Sequence, residues 1–470
     1  PERFFGLCLA GMDVPDLRGT MGTFTYFTDD PAVPRRPIGG EVHDVARHGS
    51  EIRGRIPGPP DPLDRRPPRE LGLDWRLVPD PSGRRARLGT GPERVDLEVG
   101  RWTDWVPLDF RAAPGLSVRG MVRFLLVSLE PSFRLYVSPI HVDPLRPVLP
   151  IARPILYGVS LALRHGRFPT LGMAEDTWAA NHGLVDRERF LEETRTFREA
   201  HGRIFEDAVG RDRHGLVAVV YDSPDRVQHM FWDDREVLRE LYQDMDRRLG
   251  RALEKAGDEA LVLVCSDHGF GPFRRQVDLN AWLLEEGWLA LDGEPGEAPF
   301  EGVDWSRTRA YAMGMGAIHL NVRGREGRGI VEPGDEAERL AGQIATRLAA
   351  LVDPKDGRRA VHRVHRTRDV YHGPYAGEAP DLLVGFERGW RSAWSQVAGK
   401  VGRTVFSDNV LAWQGDHAFD PELVPGVLLA NHRLAGETAH IQDLAPTVLD
   451  AFGVAAPAWM DGRSLLERPA

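Results

Sequence analysis

The sequence predicts an α/β fold, a mostly parallel central sheet flanked by helices, with a β-rich insert. Three observations predict it. From about residue 150 onward, apolar strand-like runs alternate with helix-like segments, the pattern of a sheet covered on both faces. Between about 72 and 142 short β-type runs follow one another, broken by Gly, Pro and charged residues. At 470 residues the chain is long enough for one large α/β domain or for two to three domains.

Taken in order, RFFGLCLAGM at 3–12 reads as a buried strand entering a Gly-containing loop. Residues 30–70, rich in Pro, Gly and Arg, read as a long irregular surface segment. ARLGT, RVDLEV, VRGMVRFLLVSL and FRLYVSPI supply the β-rich texture. Residues 184–206 are charged and helix-like. A strand is predicted at 215–221, a helix at 234–256 and the strand LVLVCSD at 261–267. A helix around 278–287, another at 337–352, the strands APDLLVGF (379–386) and GVLLAN (426–431) and a closing helix at 441–453 complete the pattern. The predicted domains are a core segment plus irregular surface stretch at 1–70, the β-rich insert at 71–145, and the main core at 146–470, with a small cap within 275–335.

Composition narrows the function. An apolar content of 42% is ordinary for a globular protein. A net charge of -10 argues against a nucleic-acid polymer as partner. The basic residues are nearly all Arg, with only Lys255, Lys355 and Lys400 as Lys, a bias that suggests a GC-rich genome. Cys8 and Cys265 cannot form a disulfide framework, and both lie in apolar runs that read as small buried hydrophobes. There is no apolar run of about 18 residues, so no membrane span is visible. No signal-peptide pattern is visible, the chain begins at Pro1, and the cytoplasm is the favoured compartment.

Three stretches place acid and imidazole groups at or beside an apolar strand: VVYDSPDRVQH with Asp225 and His229, LVLVCSDHGF with Asp267 and His268, and WQGDHAFD with Asp416 and His417. Ligands of open α/β sheets bind at strand ends. Carboxylate and neutral imidazole together suit zinc or manganese. A lone D-x-x-x-H is weak, since Asp225 could equally cap a helix. SDHGF carries more, with two ligand-type residues and then a Gly that permits a sharp turn. His141, His319, His372, His432 and His440 lack such a setting and read as structural or surface residues.

On these residues the chain resembles the alkaline phosphatase superfamily. PDRVQH, SDHGF and GDH, closing with DLAPTVLDAFGVAAPAWMDGRSL, match its type I phosphodiesterase/nucleotide pyrophosphatase branch, often described as predicted phosphohydrolases or phosphomutases. GMDVPDLRGTMGTFTYF, WVPLDF, RVQHMFW, SDHGFGPFRRQVDLNAWL and RAYAMG extend the likeness over essentially the whole chain. The resemblance implies an alkaline-phosphatase-like fold and two divalent metal ions, zinc first and manganese as the alternative. Asp225, His229 and His417 would hold one ion, and Asp267 and His268 the other. Asp222 would orient a ligand or cap a helix, and Asp416 has no implied role.

The same family places a metal-binding Asp and a Thr or Ser nucleophile near its N-terminus. Neither is identified in this chain, which is expected to lack the family's front portion and to turn over weakly or not at all. Thr20, Thr23, Thr25 and Thr28 resemble a later family segment rather than the nucleophile. The implied mechanism is attack by that hydroxyl on a small phosphorylated substrate, a phospho-enzyme, and its hydrolysis. Arg274, Arg275 and Asn280 follow the SDHGF strand and could reach a phosphate; they read equally as surface bases and a helix cap. Trp102 and Trp105 could stack on a base or sugar, or simply pack. A phosphodiesterase is the leading expectation, with a phosphomutase or a decayed binding module as alternatives. A sulfatase is disfavoured, because neither Cys lies in a C-x-P-x-R setting.

Overall fold

Alternation of apolar and charged residues in EIRGRIP and ELGLDWRLV aims Ile52, Ile56, Leu71, Trp75 and Leu77 at one face and their Arg and Asp neighbours at the other. In the computed structural model, which describes residues 6–9, 11, 14–35, 37–64, 69–211, 214–436 and 438–467, that alternation builds a five-stranded antiparallel meander. Its strands are Arg47–His48, Glu51–Pro60, Glu70–Pro79, Arg85–Thr90 and Glu93–Glu98. The buried faces join Leu108, Phe110, Phe124, Phe133 and Leu135 in one core. Phe110 is fully buried there. Phe110→Ala is therefore expected to lower stability by about 3–5 kcal/mol, read as a shifted urea midpoint.

The chain divides into two compact units, one of residues 1–230 with 236–257, the other of residues 231–235 with 258–470. The first holds the meander, a three-stranded and a four-stranded sheet, and the long helices Arg187–Arg211 and Arg235–Ala256. Those helices are tied by Arg198 on Asp244, which Arg248 of its own helix also reaches, and by Arg251 on Glu206.

In the second unit the strand Gly271–Val277 is central to its sheet. It pairs in parallel with Gly389–Ser392 and antiparallel with Phe406–Asp408 and Gly415–Asp416. A second four-stranded sheet, Ala310–Ala312, Ala317–Leu320, Leu382–Phe386 and Val361–Arg366, packs Ile318, Leu320, Val361 and Leu382 with Ile344 and Leu348 of the helix Asp335–Ala349. Asp278 starts the helix Leu279–Glu285 by accepting a hydrogen bond from Ala281 N at 2.9 Å.

The expected helices are present, and the sheets depart from expectation. The chain is mixed α/β, but pairing among the described strands is mostly antiparallel; only Phe24–Thr28 with Gly40–Asp44 and Gly271–Val277 with Gly389–Ser392 run parallel. The strand expected at 215–221 carries no ladder pairing, and Leu216 and Val220 are exposed. LVLVCSD narrows to Leu263–Cys265, paired antiparallel with Leu428–Ala430. The stretch expected to be irregular at 30–70 contains the strands Gly40–Asp44 and Glu51–Pro60. Its prolines misled the sequence reading: a proline cannot donate to a ladder, and the register shifts between Pro57 and Pro60 accommodate that. Of the run at 3–12, only Cys8–Leu9 forms a strand, half-buried, while residues 3–5, 10 and 12 lie outside the described residues. Cys265, expected to be buried, is exposed, and Cys8 is half-buried. Among the described residues no helix is long and apolar enough to cross a membrane.

Candidate functional site

Ser223, Pro224 and Asp225 open a short helix, Ser223–Phe231. Pro near the start and an acid in the first turn both suit a helix N-terminus. Asp225 and His229 lie four residues apart, so they share one helix face. The His229 ring is almost wholly buried, and its Nε2 stands 3.4 Å from Asp225 Oδ1. The other Asp225 oxygen faces Arg226 Nε at 3.5 Å.

In the second unit a parallel construction is made from adjacent residues. Ser266 is locked to the neighbouring strand by Ser266 N on Val427 O at 3.0 Å and Val427 N on Ser266 Oγ at 2.9 Å. Gly269 N donates to Val424 O at 2.8 Å. A Cβ on Gly269 would meet Pro425 O at 2.6 Å, so the glycine of SDHGF serves a close backbone approach rather than a left-handed turn. Between these anchors His268 Nδ1 donates to Gly269 O at 3.0 Å, which turns Nε2 to the side away from that carbonyl. That Nε2 is 3.4 Å from Asp267 Oδ2.

His417 belongs to the same unit. Its ring lies on that of His268, centroids 3.7 Å apart and planes within 12°. Burial, with a smaller push from His268, lowers the His417 imidazole to about 4. It is therefore neutral at physiological pH, the form that binds a cation.

The donor chemistry fits a borderline divalent cation. Ligands at about 2.0–2.1 Å in a tetrahedral shell stand about 3.3 Å from one another. Each acid–imidazole pair has its oxygen and nitrogen at 3.4 Å.

The other expected site residues fare differently. Asn280 is a correction: it is fully buried, and its amide is committed to backbone, donating to Ala312 O at 2.8 Å and Lys400 O at 3.0 Å and accepting from Ala312 N at 2.7 Å. Arg274 is half-exposed and paired with Asp233 at 2.6 Å. Trp102 donates to Arg189 O and carries the Arg123 guanidinium 5.0 Å from its ring centroid, while Trp105 stacks on Phe197, so both pack inside the first unit. Thr20 Oγ1 donates to the buried Asp16, and Thr28 Oγ1 to Phe133 O, which gives these hydroxyls structural roles. His141 is buried with Nδ1 accepting from Thr170 N and Leu171 N, a structural histidine as expected.

Two constellations escaped the sequence reading. In the first unit Glu175 and Glu193 are buried carboxyls and Asp176 beside them is half-buried. Burial raises them to about 7, 6 and 8 respectively, with Asp222 adding to the effect on Glu175. Glu175 accepts from Ser223 Oγ at 2.7 Å, and Asp176 from Tyr136 Oη at 2.5 Å. In the second unit His362, Asp420 and Glu422 bring ligand-type atoms within 4.8 Å of one another. Arg363 already forks onto Glu422, His365 Nε2 meets Asp420 Oδ2 at 2.8 Å, and Glu387 raises His362, so the charges there are paired internally. The pairing Glu175 and Asp176 in LGMAED, an acid doublet inside an apolar stretch, was the one available cue.

A family model, Type I phosphodiesterase / nucleotide pyrophosphatase, matches residues 169–403, half of the chain. The matched segment contains both acid–imidazole pairs and ends before His417. Among curated proteins and solved structures none matches.

Proposed function

Because the chain belongs to the type I phosphodiesterase/nucleotide pyrophosphatase family, we propose that it hydrolyses phosphate esters of small substrates, phosphodiesters first, with two divalent cations. Family membership supports phosphoester hydrolysis and an alkaline-phosphatase-like core. The observation that carries the metal reading is the repeated 3.4 Å spacing of a carboxylate oxygen and an imidazole Nε2 in the two pairs.

In this reading Asp225 and His229 are ligands of one ion and Asp267 and His268 of the other, with His417 as a fifth ligand. The stacking of His268 and His417 supports counting both among the ligand groups of the second unit. Zinc is the first choice for this donor set and manganese the second. When bound, such ions would neutralise phosphate oxygens and stabilise a leaving oxygen. The chain's own contribution is to present the neutral His417 imidazole and to hold His229 and His268 each beside its carboxylate. Arg274, on the strand that leaves SDHGF and paired with Asp233, would exchange that partner for a further phosphate oxygen. The attacking group is assigned to none of the described residues.

The test is release of p-nitrophenol from bis(p-nitrophenyl) phosphate and from p-nitrophenyl phosphate, before and after chelation and with zinc or manganese restored. Weak diester turnover that chelation abolishes and metal restores is the expected result. Turnover indifferent to chelation overturns the reading. Two equivalents of bound zinc without turnover would instead favour a metal-dependent binding module.

A further inference from the structure

Asp416 and Arg391 form an ion pair in which each side chain is 1% exposed, with Arg391 Nη1 at 2.5 Å from Asp416 Oδ2. Trp413 Nε1 donates to the same oxygen at 3.1 Å. The guanidinium carbon lies 4.0 Å from the ring centroid of Trp394 and 5.3 Å from that of Phe273. The other carboxylate oxygen, Oδ1, accepts from His417 N at 2.8 Å and Ala418 N at 2.9 Å. Asp416 thus gives one oxygen to its anchor and the other to the backbone of the two residues that follow.

We propose that Asp416, held by Arg391 and Trp413, is the positioning residue for His417. This rests on the reading of His417 as a metal ligand. Two hydrogen bonds to one oxygen fix the backbone at 417 and 418, and with it the direction in which the His417 side chain leaves the chain. The anchor is tied to the same strand as the other pair. Gly415–Asp416 and Gly389–Ser392, which carries Arg391, both pair with Gly271–Val277, the strand that follows Asp267 and His268. The ring stack of His268 and His417 is then the product of one hydrogen-bonded frame.

Energy argues in the same direction. A buried ion pair carries a desolvation cost that an apolar pair of equal volume avoids, so it is weak as a stability device. What it supplies is defined geometry, as with outer partners that orient metal ligands. The same unit contains an internal control. Asp353 is fully buried, and its carboxylate is held by Arg275 at 2.5 Å, by Trp390 Nε1 at 2.9 Å and by Lys355 N at 3.0 Å, away from the acid–imidazole pairs in its bonding.

The experiment compares Asp416→Asn, Trp413→Phe and Asp353→Asn in the full chain. Zinc affinity is read by competition with a chromophoric chelator, and in metal-free protein the ring-to-ring NOE between His268 and His417 is followed. Asp416→Asn should weaken zinc binding by about 10–100-fold and abolish the NOE. Trp413→Phe should give a smaller loss in the same direction, and it keeps the proposal testable should Asp416→Asn not fold. Asp353→Asn should lower the unfolding midpoint and leave zinc affinity and the NOE unchanged. Retained affinity and NOE in Asp416→Asn, or in Trp413→Phe if only that variant folds, overturns the proposal. His417→Ala separates the two levels: if it too leaves zinc binding unchanged, the ligand reading itself has failed.

Discussion

Asp225→Ala and His268→Ala are each expected to weaken zinc binding by at least about 10³-fold and to cut bound zinc from two equivalents to one. The loss exceeds the 10–100-fold that removal of an outer partner costs, because each variant deletes half of a protein-supplied pair. Both pairs hold a carboxylate oxygen and an imidazole nitrogen at 3.4 Å, a separation that needs little adjustment to close on one ion. The pattern across variants matters as much as the size. Asp225→Ala and His229→Ala belong to one pair, so combining them should add little. Asp225→Ala with His268→Ala should remove both ions. Additivity across pairs and its failure within a pair is the behaviour of independent and coupled sites. Equilibrium dialysis with metal analysis decides it; two equivalents retained in either single variant would refute the assignment.

The second large effect concerns pH. Burial lifts the Glu193 carboxyl to about 8, against an opposing pull from Arg123. In the unfolded chain the same group ionises near 4.5. Between these values the folded protein binds the proton that the unfolded chain has released. Stability is therefore greatest below about pH 4.5 as far as this group is concerned, falls as pH rises through the window, and loses nothing more above about 8. A tenfold difference in proton affinity between the folded and unfolded chain corresponds to about 1.4 kcal/mol, so the whole fall is on the order of a few kcal/mol. Glu175 and Asp176, also raised, act with the same sign in overlapping windows and titrate with Glu193 as a set. Glu193→Gln, which cannot ionise, should flatten the profile and be more stable than the parent at pH 8. Urea unfolding from pH 5 to 8 measures it, and parallel profiles for parent and variant would rule out the buried-proton account.

Much of the candidate centre was legible because its parts are local. Four-residue spacing on a helix needs only the helix to bring Asp225 beside His229, and adjacency alone brings Asp267 beside His268. The anchor of His417 was not legible. Arg391 and Asp416 are 25 positions apart and meet only because their strands flank Gly271–Val277, a pairing that no periodicity announces. Asn280 misled for the opposite reason. It stands near a helix start, where polar residues often face solvent, yet its amide joins the backbone of the strand residue Ala312 to that of Lys400. The helices at 187–211, 235–256 and 335–349 follow from their charged, periodic sequences. Strand direction does not follow from composition: the apolar run at 215–221 has strand propensity, and ladder formation depends on a neighbour elsewhere in the chain. Proline hid the strand Glu51–Pro60, although Ile52 and Ile56 kept the alternation of a buried face.

The forks that hold Asp244, Asp353 and Asp416 are all built from arginine, and all but three of the 60 basic residues are of that kind. A guanidinium keeps its proton through any pH at which the backbone survives. Alkaline solution will thus leave these clamps charged. Amine-directed reagents, for their part, have only Lys255, Lys355 and Lys400 as side-chain targets, whereas arginine-selective dicarbonyls should strike the surface densely and spare the enclosed Arg391.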